Sequence, residues 1–63
     1  MAGTLAERIR ERAKLEGGVE ALRETLGLGG GTFYGLLRGM LPRTTRVIQL
    51  LERHGIMVRD LLS

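Results

Sequence analysis

Glycine interrupts this chain where its apolar periodicity also breaks, at Gly17 and Gly18, at Gly27, at Gly39 and at Gly55. A glycine costs a helix interior about 1 kcal/mol relative to alanine, yet it takes readily the left-handed conformation in which helices end. The chain is thereby restricted to short helices joined by tight turns. Thr4 with Glu7 three residues on has the form of a capping box, and Leu5, Ile9 and Ala13 follow at four-residue spacing, predicting a first helix that ends at Gly17 and Gly18. Val19, Leu22 and Leu26 predict a second, stopped at Gly27. Phe33, Leu36, Leu37 and Met40 predict a third, stopped by Gly39 and by Pro42, which disfavours helix at Leu41. Thr44 or its neighbour can cap a fourth, with Val47, Leu50, Leu51 and His54 on one core-facing stripe as far as Gly55. Ile56 can pack back onto the core, and Val58, Leu61 and Leu62 predict a final turn or two. Nothing alternates with period two. The expectation is one all-α domain, residues 1–63, of about five short helices.

With 63 residues and no cysteine, the chain has a modest core and neither disulfides nor thiolate metal sites to supplement it, which leaves dimerisation as the inexpensive reinforcement. No apolar run approaches the length of a membrane span, and the N-terminus lacks the basic, apolar, small-residue order of a signal peptide, so a cytoplasmic protein is expected. The net charge of +3 is placed unevenly. Up to Tyr34 the acids and bases cancel, so the whole excess lies beyond it, and Arg38 to Arg46 is a basic stretch free of acids. Such a stretch steers polyanions.

The run from Leu22 to Gly39, LRETLGLGGGTFYGLLRG, resembles the helix-turn-helix of the Cro and phage-repressor family. Gly27 matches the turn glycine, and Leu28, Phe33 and Leu36 match the apolar positions that lock the turn and recognition helix to the core. Pro42, the segment Val47 to His54 and the ending from Gly55 to Leu62 are similar to the family's fourth and fifth helices. The chain departs from the pattern at Arg23, where relatives have a small residue, at Val19 or Gly18, where they have a phosphate-bracing glutamine, and at His54, where they have leucine. For Arg23 two explanations stand open, a side chain that snorkels outward or an imperfect register.

The resemblance implies a DNA-binding transcriptional regulator, a repressor rather than an activator, that lays helix 3, about Gly30 to Arg38, in the major groove of double-stranded DNA. The family's base-reading positions map onto Gly30, Gly31 and Gly35, which have no side chains to read with. Thr32, Tyr34 and Arg38 remain on the groove face, although Thr32 can also serve as a helix cap and Tyr34 as a surface aromatic. Arg43, Thr44 and Arg46 are the candidate phosphate contacts, because a backbone contact needs charge and position rather than an exact fit. The resemblance also implies a homodimer, with Ile48, Met57 and Leu62 as candidate contacts. The emptied reading face leaves an alternative, a protein-interaction module that binds RNA polymerase or another regulator. Enzymatic chemistry is not expected from one histidine, no cysteine and carboxylates spread over amphipathic helices, and the lone His54 makes no metal site; no cofactor is implied. Gly29 to Thr32 is not a P-loop, since it follows a helix and lacks the lysine that completes one.

Overall fold

The computed structural model describes residues 3–62; Met1, Ala2 and Ser63 of the expected domain lie outside it. Five helices follow one another, α1 (Leu5–Glu16), α2 (Val19–Leu26), α3 (Gly30–Leu37), α4 (Thr45–Arg53) and α5 (Arg59–Leu62), and there is no strand among the described residues. The all-α architecture expected from the glycine breaks is the one observed. Its radius of gyration, 10.4 Å, matches the roughly 10.6 Å of a compact chain this long.

Local chemistry sets the helix ends. The capping box forms as the sequence predicts: the Glu7 N–H donates to Thr4 Oγ1 at 3.1 Å, and the Thr4 N–H donates to Glu7 Oε1 at 3.0 Å. At the other end of α2, Gly27 sits at φ 73°, a conformation that costs a side-chain-bearing residue about 1 to 2 kcal/mol. Its N–H reaches the Glu24 carbonyl at 3.1 Å, and the next N–H, of Leu28, reaches the Arg23 carbonyl at 3.3 Å. This paired bonding is the Schellman arrangement, and it turns Leu28 into the core. α3 and α4 end in the same way, through Gly39 with Met40 and Gly55 with Ile56. α3 therefore stops at Leu37, and Met40, expected within it, lies beyond the turn and half exposed to solvent.

Leu5, Ile9 and Ala13 of α1 share the core with Leu22 and Leu26, Phe33 and Leu36, Leu51, Ile56 and Val58. α1 packs chiefly against α2 and α3. Phe33, Ile9, Leu22, Leu51 and Val58 are the largest side chains fully withdrawn from water. The α4 stripe is narrower than its spacing suggests, for Leu51 is buried, Val47 and Leu50 are half-buried, and His54 stands just past the helix.

The chain's far ends are tied by Arg8, whose guanidinium donates to both carboxylate oxygens of Asp60 at 2.9 Å and to the Met57 carbonyl at 3.0 Å. The hydrogen bonds from Arg8 hold the Asp60 carboxyl below its usual range. The backbone bond from Thr4 does the same for Glu7. Carboxyls depressed in the folded state stabilise it fully above their unfolded pKa, near 4, and lose that contribution as pH falls through the folded value. The melting temperature is accordingly expected to hold between pH 7 and about pH 5 and to fall below about pH 4. Asp60→Asn should flatten that acid limb; thermal melts by circular dichroism across the range check it, and an equal fall in both proteins would exclude the Arg8–Asp60 pair as a cause.

Candidate nucleic-acid interface

The surface around α3 and the start of α4 differs from the rest of the molecule in its charge. Five of the seven acidic residues are taken up in ion pairs, Arg8–Asp60, Arg12–Glu16, Lys14–Glu11, Arg23–Glu20 and Arg59–Glu52. All five cations of those pairs belong to α1, α2 or α5. Among the described residues, Arg38, Arg43, Arg46 and Arg53, and on α1 Arg10, have no carboxylate within ion-pairing distance, and Arg38, Arg43 and Arg46 are exposed. The basic stretch seen in the sequence is thus also un-neutralised in space.

A groove of about 360 Å³ runs between α3 and the loop that leads into α4, bordered by Gly31, Thr32 and Gly35 on one side and by Met40, Arg43 and Thr44 on the other. It brings together three of the candidate contacts, Thr32, Arg43 and Thr44. Arg38 and Arg46 lie outside its lining. Thr44 caps α4, its hydroxyl oxygen accepting from the Val47 N–H at 3.3 Å, and this fixes where Arg43 and Arg46 emerge.

Thr32 is exposed in the first turn of α3 and does not cap it; Gly29 holds that position with no side chain to offer. The opening N–H groups of α3 therefore face outward without a side-chain cap, at the end where the helix dipole is positive. A Cβ on Gly29 or Gly31 would meet nothing within 4 Å, so packing does not require glycine at either position. Gly35 is different. It is buried, and a Cβ there would come within 3.2 Å of Met40 Sδ, so this glycine accommodates the returning loop instead of standing empty on an outer face. The reading position expected at Gly35 is corrected on that ground.

Tyr34 is also committed internally. Its hydroxyl donates to Glu20 Oε2 on α2. Glu20 Oε1 accepts from Arg23 Nε at 2.9 Å, and Arg23 Nη1 donates to the Leu28 carbonyl at 3.0 Å. Arg23, unexpected at this position, thus snorkels from α2 to the turn and braces it against α3 through Glu20 and Tyr34. The hydrogen bond from Arg23, then that from Tyr34, holds the Glu20 carboxyl below its ordinary range, and the same carboxylate pushes the Tyr34 hydroxyl up. Glu20 and Arg23 had no role in the sequence reading beyond charge balance and the family departure; their three-residue spacing was the only signal.

Among the described residues no His, Cys, Asp and Glu side chains gather as a metal site, and no helix is long and apolar enough to cross a membrane. No family model, no curated protein and no solved structure matches the chain.

Proposed function

We propose that this domain binds double-stranded DNA as a transcriptional repressor of the Cro and phage-repressor type, in the cytoplasm, with α2, the Gly27 turn and α3 serving as its helix-turn-helix. The observation that carries this reading is the segregation of charge: the cations beside α3 and α4 lack acidic partners, while those elsewhere, Arg10 apart, are paired. Arg38, Arg43 and Arg46 hold phosphates, with Thr44 beside them at the start of α4. Thr32 supplies side-chain contact in the groove, and Tyr34 acts from behind by bracing α3. Because phosphates are well served and base edges poorly, affinity is steeply salt-dependent and discrimination between sequences is modest. Titration of labelled operator-like and random duplexes across a salt series tests this. A linear fall of log K with log salt on both duplexes supports it, and absence of binding at low salt overturns it.

The bare start of α3 gives a second expectation. Gly31 has ordinary helical geometry and open space around it, so Gly31→Ala should raise stability by about 0.5 to 1 kcal/mol. If the backbone there approaches DNA closely, the added methyl should weaken binding in the same variant. Urea melts and the binding titration together check the pair of effects. Unchanged binding would place Gly31 away from the nucleic acid.

One observation favours a different reading, in which α3 meets RNA polymerase or another regulator: Met40 and Leu41 are 54% and 45% exposed beside the glycine-bare face. A stoichiometric protein partner recovered with no DNA affinity would establish it.

A further inference from the structure

A second groove, of about 690 Å³, runs between α1 and the segment that enters α5, and it shares no lining residue with the groove beside α3. Its apolar wall is built from side chains that the core does not use. Leu15 lies off the Leu5, Ile9, Ala13 stripe of α1 and is 76% exposed; Met57, between buried Ile56 and Val58, is 59% exposed. The volume falls within the range of small-molecule sites, about 300 to 1,000 Å³, which combine apolar walls with a few placed polar groups. Of the residues expected at a dimer contact, only Met57 belongs to this groove; Ile48 is half-buried against the core, and Leu62 is exposed but outside the lining.

The charges of the lining are unequal: Arg8, Arg12 and Lys14 stand against Glu11 and Asp60. Asp60 already accepts from Arg8 with both carboxylate oxygens, and Glu11 accepts from Lys14 at 3.3 Å. The surplus cation is therefore Arg12. Its guanidinium lies over Gly55, the glycine that ends α4, where a Cβ would meet Nη1 at 3.5 Å. Nη2 pairs with Glu16, outside the lining, at 3.1 Å, while Nε is buried with no hydrogen-bond acceptor. A buried donor left without an acceptor carries a desolvation cost, and a guanidinium matches the planar fork of a carboxylate. We propose that this groove binds a small apolar carboxylate, its body against Leu15 and Met57 and its carboxylate on the Arg12 guanidinium. Charge selects that occupant. One surplus positive charge calls for one negative charge; a polyanion would also meet Glu11 and Asp60, and an apolar cation would meet Arg12 itself. The inference does not depend on the DNA reading, since none of these residues is a candidate DNA contact.

Titration of the isotope-labelled full chain with sodium octanoate, followed by amide chemical shifts, tests this, with octanol and octylammonium as neutral and cationic probes of the same alkyl length. Octanoate should give saturable shifts along α1 and from Gly55 to Asp60, and should bind about 10-fold or more tightly than octanol, as expected for one charged hydrogen-bonding group. Octylammonium should bind more weakly still. Arg12→Gln should bring octanoate down to the affinity of octanol, and Arg12→Lys should keep part of the difference. Leu15→Ser, at an exposed site, should weaken octanoate and octanol alike. The comparison of the three probes on the wild-type chain stands whether or not each variant folds. Octanol bound as tightly as octanoate, a folded Arg12→Gln chain that binds octanoate unchanged, shifts centred on the Thr32 and Arg43 groove, or no saturable shift at millimolar octanoate each overturns the proposal. So does closure of the groove by a second copy, seen as the same amides shifting with protein concentration alone.

Discussion

Phe33→Ala is expected to remove most or all of the folding stability of this domain. A chain of 63 residues, at about 0.05 to 0.15 kcal/mol per residue, has only about 3 to 9 kcal/mol in hand. Truncating a fully buried phenylalanine costs about 3 to 5 kcal/mol, from lost transfer energy and from the cavity left behind. Phe33 is wholly withdrawn from water and, with Leu36, is what α3 contributes to the buried core. The neighbouring turns cannot collapse freely into its space, because the glycine caps after α2 and α3 hold them. Chemical denaturation followed by far-ultraviolet circular dichroism should show a midpoint lowered by half or more, or no cooperative transition at all. Leu15→Ala, at an exposed site, should change stability by no more than about 0.5 kcal/mol. A Phe33→Ala protein within about 1 kcal/mol of wild type would mean that α3 is held by something other than this side chain.

Much of this fold is written in local signals. The Thr4 and Glu7 capping box, the glycines that end α1, α2, α3 and α4, and the Thr44 cap all act within a few residues of themselves, and each was legible before any tertiary contact was known. The core followed from helical spacing for the same reason. What the sequence could not disclose are contacts whose partners are far apart along the chain. Tyr34 and Glu20 are 14 residues apart, and Arg8 and Asp60 are 52 apart. Their pairing depends on how the helices cross, which no periodicity encodes. Gly35 failed in a related way: it was placed on an outer face by resemblance, whereas the loop that returns through Met40 buries it. The basic surface was legible as composition, but its lack of acidic partners became visible only once the other helices had consumed five of the seven acids.

That lack of partners gives the second large expectation. Replacing Arg38, Arg43 and Arg46 together by alanine should lower DNA affinity by between about 100- and 1,000-fold at about 0.1 M salt, because each lost phosphate contact removes roughly 0.9 from the slope of log K against log salt. The slope itself should become shallower by about 2.7. The folded state should be little affected, since all three side chains are exposed and none gives up an ion pair within the described residues. Arg59→Ala is the matched control: it removes the same charge, but from a cation already paired with Glu52 at 2.8 Å and remote in sequence from the basic stretch. If net charge alone drew the protein to DNA, that control should cost as much as any one of the three. If position matters, it should cost far less. The single variants then separate the roles within the set. Arg43→Ala and Arg46→Ala should weaken binding to every duplex alike, as phosphate contacts do, whereas a loss at Arg38→Ala confined to one duplex would identify its guanidinium as a reader of guanine.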